Sequence, residues 1–99
     1  MASIKLSKPI KAHGEEISEI ELREPTGADV MELGYPYLLI IGEDDAQAME
    51  LRPKVVCRYV AKLGKIPPSS LNEVSPADFG QMTGVVMGFF GVEAETLKG

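Results

Sequence analysis

The sequence predicts an α+β fold in which an N-terminal antiparallel β-hairpin packs on three to four short helices. Two segments near the N-terminus alternate between apolar and polar side chains, which is the period of a β-strand. A turn that contains Gly14 separates these segments and can supply a positive φ. The later part of the chain carries apolar residues at helical spacing, and several of these runs begin after good N-cap residues.

Length and charge limit the class of protein. The 99 residues suffice for one domain, with a hairpin over 4–24, a helical part over 26–91 and a flexible tail over 92–99. A net charge of −5 argues against a general nucleic-acid binder. We find no apolar signal segment and no run long enough to span a membrane, and we therefore expect the protein to act in the cytoplasm.

The predicted hairpin has one apolar face. Ile20 and Leu22 share a face of its second strand, and Pro9 favours an edge position for the first. Because an isolated hairpin is marginally stable in water, this apolar face must rest on the helices. His13 lies in the turn and is the single histidine, so no second histidine or cysteine cluster accompanies it as a metal ligand.

A short helix follows the hairpin. Thr26 can cap it, and Asp29 lies three residues later, as in a capping box. Gly34 is expected to end it. Its apolar side is predicted to consist of Val30, Met31 and Leu33.

The most apolar stretch of the chain is Tyr35–Ile41. It is too short for its period to distinguish a buried strand, a helical turn or an extended docking loop. Its two tyrosines and Pro36 would also suit an exposed binding segment. We favour burial in the core.

A longer helical region is predicted next. Asp45 is expected to cap a helix from about Ala46, and Pro53 either kinks this helix or opens a second one at its first turn. Gly64 closes the region. The apolar face after the proline is formed by Val55, Val56, Tyr59, Val60 and Leu63.

The same helix carries a basic stripe, which consists of Lys54, Arg58 and Lys62 at four-residue spacing. We favour a solvated face with cations near the helix C-terminus over a patch for an acidic partner. Cys57 lies beside the apolar face and is interpreted as a small core or core-edge residue, because a nucleophile would need a nearby base.

The last helix is the most distinctive element. A turn leads into a short helical piece that Ser69 or Ser70 can cap. Ser75 is expected to cap the last helix, and the carboxylate of Asp78 can reach back to that cap. One face of this helix carries Phe79, Met82, Val86, Phe89 and Phe90.

The opposite face carries a glycine stripe, which we define as Gly80, Gly84 and Gly88. Each of these glycines destabilises the helix by about 1 kcal/mol relative to alanine. Either another surface packs closely here, such as a second helix of the same domain, or the helix is weak and becomes firm when a partner binds.

Two long segments, LSKPIKAHGEEISEIELREPTGADVMELG and IPPSSLNEVSPADFGQMTGVVMGFFG, resemble the start and the end of the tail assembly chaperones of contractile-tailed (Mu-like or P2-like) bacteriophages. The first shows a strand, a glycine turn and a strand that leads into a short helix. The second shows a Pro-Ser turn, an acidic-capped helix and a closing Phe pair. The resemblance does not extend to residues 35–48.

The resemblance implies a protein that is not an enzyme, uses no cofactor, and keeps the tape-measure protein soluble during tail tube assembly. It also implies action in the host cytoplasm, absence from the mature virion, and possible association with a frameshift-extended form of itself or as a homo-oligomer. A small-residue or apolar groove for helices suits this role. The candidate partner-binding residues are Tyr35, Tyr37, Leu38, Gly80, Gly84, Met87, Gly88, Phe89 and Phe90. The alternatives are a DNA-binding regulator or adaptor of a mobile element, and a minor structural tail subunit.

Overall fold

The fold is described by a computed structural model for residues 2–43 and 47–91. Its elements in chain order are β1 (Ala2–Ala12), β2 (Glu15–Leu22), α1 (Gly27–Leu33), β3 (Tyr37–Ile41), β4 (Gln47–Leu51), α2 (Pro53–Gly64), a 3₁₀-helix (Pro68–Glu73) and α3 (Pro76–Phe89). The predicted α+β class with an N-terminal antiparallel hairpin is confirmed, and a second hairpin is added. The predicted cap at Asp45, the helix start at Ala46 and the tail over 92–99 lie outside the described residues.

The first hairpin forms one wall of the core. Strands β1 and β2 are antiparallel, with Ile4 opposite Ile20, and the turn residues His13 and Gly14 have φ values of 54° and 77°. The register shifts between Lys5 and Ile10, so the strand bulges where Pro9 could not have donated to the ladder. The apolar face is buried as predicted.

Helices α2 and α3 cover this wall. The predicted apolar face of α2 is fully buried. Gly64, at the end of α2, lies so close to β2 that an added Cβ would be 2.9 Å from Cγ2 of Ile20. The left-handed residue that follows the helix is Lys65, with a φ of 54°. Gly64 therefore ends α2 as expected, but the fold requires glycine there for close packing.

Four local predictions are wrong. Residues 47–51 form strand β4 because they pair with β3, whereas a helix was predicted, and Pro53 opens α2 at its first turn. The 3₁₀-helix begins after Pro67 without a serine cap, since the paired prolines already set its backbone. Met31 is 84% exposed and contributes nothing to the core. Burial of Tyr35–Ile41 in the core is also wrong, as described below.

The bulge in β1 is tied to α3. The Ser75 hydroxyl accepts a hydrogen bond from the N–H of Asp78, which confirms the predicted cap. The buried Asp78 carboxylate, however, mainly serves β1, where it accepts from the N–H and hydroxyl of Ser7 and from the N–H of Lys8. These bonds satisfy donors that the bulge removes from the strand ladder.

A second buried carboxylate joins three elements. Asp29 accepts from the N–H of Thr26 at 2.8 Å, as a capping-box residue does. It also lies 2.9 Å from Nη1 of Arg23 and 2.8 Å from Nζ of Lys62. Because Lys62 lies on α2, this cluster fixes α1 against α2.

Candidate functional site

The hairpin of β3 and β4 exposes most of its apolar side chains to solvent. Leu38, Leu39, Ile40 and Ile41 are 47%, 62%, 50% and 73% exposed. The expectation that this segment is buried in the core is therefore wrong. A strand with apolar residues at successive positions has no polar face. Apart from the contact of Tyr37 with Phe90, the described chain leaves most apolar side chains on both faces of this sheet exposed.

The register shows which side chains share each face. Leu39 lies opposite Met49, and Tyr37 lies opposite Leu51, so these four side chains share one face. Leu38 lies opposite Glu50 and shares the other face with Ile40. A two-stranded sheet with two apolar faces is marginally stable in water, and a partner could bury either face.

The base of this hairpin is held firmly. The N–H of Arg52 donates to the carbonyl of Pro36 at 2.9 Å, and Pro36 is buried. The Tyr59 hydroxyl donates to the carbonyl of Gly34 at 2.6 Å. A rigid base presents the apolar strands in a defined position.

An aromatic cluster, defined as Tyr35, Tyr37, Tyr59 and Phe90, connects the hairpin base to the end of α3. The ring centroid of Phe90 lies 5.8 Å from that of Tyr35, 6.3 Å from that of Tyr37 and 5.5 Å from that of Tyr59. All three contacts are edge-on, an arrangement that aromatic rings favour. The structure thus brings three predicted partner-binding residues, Tyr35, Tyr37 and Phe90, into contact.

The glycine stripe lies on the exposed face of α3. Beyond the adjoining backbone of α3 itself, Cβ atoms added at Gly80, Gly84 or Gly88 would meet no atom of residues 2–43 and 47–91 within 4 Å. None of the described helices therefore packs against the stripe, and the idea that such a helix does so is wrong. The remaining explanations are close packing by a partner, or a weak helix that a partner makes firm.

The other predicted residues of α3 occupy different environments. Met87 is fully buried and presents no side chain to a partner in this conformation, whereas Phe89 is half-buried against the core. Of the candidate residues in this region, Gly80, Gly84 and Gly88 are exposed and Phe90 is half-buried.

Ion pairs distinguish Lys62 from Lys54 and Arg58, the other two residues of the basic stripe. Lys62 pairs with Asp29 and Glu32. Hydrogen bonds from Arg23 and Lys62 lower the pKa of Asp29, and the bonds from Asp29 and Glu32 raise the pKa of Lys62. Lys62 is thereby removed from any acidic-partner patch, whereas Lys54 and Arg58 are exposed and form no ion pair with another described residue.

The partner-binding residues predicted from the sequence did not include Leu39, Ile40, Ile41 and Leu51, which the hairpin exposes, or Arg52 beside them. One feature of the sequence could have indicated this exposure. Four successive apolar residues suit a strand that is buried on both faces, and a domain of this size has few helices with which to bury a second sheet.

Groups suited to chemistry are sparse in the part of the chain that the structure describes. No set of three or more His, Cys, Asp or Glu side chains there is placed to hold a metal ion. Cys57 is half-buried, and desolvation raises the pKa of its thiol, which disfavours the thiolate. None of the helices in residues 2–43 and 47–91 is long and apolar enough to cross a membrane.

The core hairpin, the covering helices and the exposed apolar surface together give the described part of the chain a surface suited to binding another protein. The family model described as phage tail assembly chaperone proteins, E, or 41 or 14, matches residues 3–91. The chain belongs to this family of phage tail assembly chaperones. The match extends through residues 35–48, which the sequence resemblance did not cover. No curated protein and no solved structure matches the chain.

Proposed function

We propose that this tail assembly chaperone binds the tape-measure protein of its phage and keeps it soluble while the tail tube assembles. The observation that supports the proposal is the exposed apolar surface of the β3–β4 hairpin next to the aromatic cluster. Monomeric soluble proteins rarely expose a continuous apolar surface unless it serves binding.

The proposed contact residues fall into two groups. Tyr35, Tyr37, Leu38 and Phe90 form the aromatic and apolar group at the hairpin base, together with the newly found Leu39 and Ile41. The glycine stripe forms the second group, because an α-helix of the client could approach α3 closely where side chains are absent. A long helical client offers apolar faces that suit both groups.

The setting of the activity follows from this role. We propose that the chain acts in the host cytoplasm, uses no cofactor, and is left out of the mature virion of a contractile-tailed phage. Binding to a frameshift-extended form of itself or to further copies is part of the same proposal.

The test is co-expression with the tape-measure protein of the same phage, measuring its soluble fraction and its co-purification with the chaperone. We expect the wild-type chain to rescue a tape-measure protein that is insoluble alone. The double variant Leu39→Glu/Ile41→Glu should abolish rescue. Met31→Glu is the matched control, because Met31 is an exposed apolar residue outside the hairpin, and it should rescue normally.

Two outcomes would contradict the proposal. If the double variant rescued the tape-measure protein as well as the control did, the hairpin would not be the binding surface. If neither the wild-type chain nor a frameshift-extended product formed a complex, the tape-measure protein would not be the client. Recovery of the chain in purified phage particles would instead support a structural subunit.

The glycine stripe needs its own variants. Gly84→Leu and Gly88→Leu place bulky side chains on the exposed face of α3, where no described residue obstructs them. We expect loss of rescue if a client helix packs there. Unchanged rescue by both variants would remove the stripe from the proposed site.

A further inference from the structure

A groove runs between the base of the β3–β4 hairpin and the start of α2. It has a volume of about 560 Å³, and the apolar residues that line it are Leu38, Leu51, Pro53 and Val55. Leu38 and Leu51 are among the exposed apolar residues of the hairpin, so the groove is continuous with the surface proposed to bind the client.

The rim of this groove is cationic. Arg52, Lys54 and Arg58 line it, and Glu50 is the one carboxylate among its lining residues. Lys54 and Arg58 are four residues apart on α2 and therefore project on the same side of the helix. The guanidinium of Arg52 donates one long hydrogen bond, 3.5 Å, to the carbonyl of Tyr35.

These cations are unpaired in a protein that is acidic as a whole. The chain carries a net charge of −5, yet none of the three forms an ion pair with a carboxylate of the described chain. Lys62, one helical turn beyond Arg58, differs because it is paired with Asp29 and Glu32. What distinguishes Arg52, Lys54 and Arg58 from other exposed cations of the chain is that all three line the same apolar groove.

The concave surface continues past the groove. Arg58 also lines two smaller depressions, of about 360 Å³ and 300 Å³, which extend along α2 to Pro68. A partner segment lying along this path would meet apolar side chains at the hairpin end and a guanidinium midway. Such a segment would contact Arg58, because Arg58 lines the groove and both depressions.

We propose that this groove binds an acidic amphipathic segment of the client, with apolar side chains on Leu38, Leu51 and Val55 and carboxylates at Arg52, Lys54 and Arg58. The proposal rests on the proposed function and specifies the chemistry of the client segment. Charge complementarity supports it, since cations around an apolar floor attract carboxylates and repel basic segments.

A protein segment fits this groove better than a nucleic acid does. Nucleic-acid sites are strongly basic, whereas Glu50 lies in this groove wall and the protein is acidic overall. The apolar side chains that line the groove would stabilise the apolar face of a bound amphipathic segment. The phosphate backbone of a nucleic acid offers no apolar face for them to contact.

The direct test uses three fluorescein-labelled synthetic amphipathic helices with identical leucine faces and with Glu, Gln or Lys at their polar positions. Binding to the full chain is measured by fluorescence anisotropy as NaCl is raised. We expect the Glu peptide to bind roughly tenfold more tightly than the Lys peptide at low salt, because two or three ion pairs each contribute modestly. The difference should shrink with salt.

Charge-matched variants locate the effect. Lys54→Gln/Arg58→Gln should lose the preference for the Glu peptide. Lys5→Gln/Lys11→Gln changes the net charge equally on exposed residues of β1 and should retain the preference. Unchanged circular dichroism and thermal melting for both variants establish that folding is not the cause.

The outcomes separate the inference from the proposed function. Equal binding of the three peptides, or a preference that survives Lys54→Gln/Arg58→Gln, would overturn the inference even if tape-measure rescue were intact. Tighter binding of a labelled oligonucleotide than of the Glu peptide would also overturn it, in favour of a polyanion site. So would self-association that Lys54→Gln/Arg58→Gln abolishes in sedimentation experiments, which would assign the groove to a second copy.

Discussion

At the scale of single residues, two glycines that look alike in sequence have opposite roles. Gly64 was predicted to close a helix and Gly84 to lie inside one, but neither prediction indicates which glycine is required by packing. A Cβ at Gly64 would lie 2.9 Å from Cγ2 of Ile20 and 3.1 Å from Cδ2 of Leu22, whereas a Cβ at Gly84 would lie in open space. Only the first glycine is required by packing within the described fold.

Alanine substitutions at these two positions should therefore shift stability in opposite directions. Gly64→Ala should destabilise the fold by about 1–2 kcal/mol, because the branched Ile20 methyl cannot move aside without repacking. Gly84→Ala should stabilise it by about 1 kcal/mol through helix propensity. Urea unfolding followed by circular dichroism measures both. A stabilised Gly64→Ala variant would contradict this, because it would show that the side chains of β2 at this contact move aside at little cost in free energy.

At the scale of elements, the two hairpins differ in what covers them. The β1–β2 hairpin buries Ile4, Ile10, Ile20 and Leu22 against the helices, and Asp78 supports its bulge. The β3–β4 hairpin has similar pairing, but apart from the contact of Tyr37 with Phe90 the described chain leaves most of its apolar side chains exposed. Strand pairing alone provides little stability in water.

This difference predicts a wide gap in hydrogen exchange between the hairpins. Amides of β3 and β4 should exchange much faster than those of β1 and β2, because local opening of an uncovered hairpin exposes little additional apolar surface. Exchange measured by mass spectrometry on the free chain tests this. Adding the client should slow exchange in β3 and β4 selectively. Equal protection in both hairpins of the free chain would contradict the prediction.

At the scale of the whole molecule, two buried carboxylates connect distant parts of the chain. Asp29 joins Arg23 and Lys62, and Asp78 joins α3 to β1. Hydrogen bonds from Arg23 and Lys62 lower the pKa of Asp29 below its usual 3.8, and those from Ser7 and Lys8 lower the pKa of Asp78. In both cases the folded state favours the ionised form.

Stability should therefore fall in acid. A carboxylate whose pKa is lowered by folding contributes its full stabilisation at pH values above its pKa in the unfolded chain. This contribution disappears as the pH falls through its pKa in the folded protein. The unfolded chain binds more protons in this window, so the free energy of unfolding decreases with decreasing pH below about 4.

Asp78→Asn isolates one of these contributions. We expect the variant to be less stable than the wild-type chain at neutral pH. The difference should shrink as the pH falls through the lowered pKa of folded Asp78, because the wild-type carboxylate then becomes protonated as well. Urea titrations across this range measure it. Glu15→Gln, at an exposed position at the start of β2, is the control and should parallel the wild type. A constant difference at all pH values would show that the charge of Asp78 is not what stabilises the bulge.

The same titrations test the domain organisation that we propose. If the chain is one domain, circular dichroism and tyrosine fluorescence, to which the buried Tyr59 contributes, should report the same urea midpoint, since loss of the shared core removes all elements together. Separate midpoints would divide the chain into independent units.

The sequence by itself determined the elements whose signals are local or periodic. Alternation predicted the first hairpin, and 3.6-residue spacing predicted the buried faces of α2 and α3. The Ser75 cap and the Thr26–Asp29 pair were also readable, because each depends on a few adjacent residues. The resemblance at both ends of the chain correctly indicated the chaperone family.

Only the tertiary structure decided which surfaces remain uncovered. A run of apolar residues such as 38–41 specifies a preference for burial, but whether the chain has another element left to cover it depends on packing elsewhere. Glycine spacing likewise cannot show whether a neighbour is present. The partners of Asp29 and Asp78 come from residues up to 71 positions away in sequence, so the pairing follows from the folded arrangement. Local patterns thus determined the first hairpin and the helices α2 and α3, whereas long-range packing determined strand β4 and the surfaces that stay exposed.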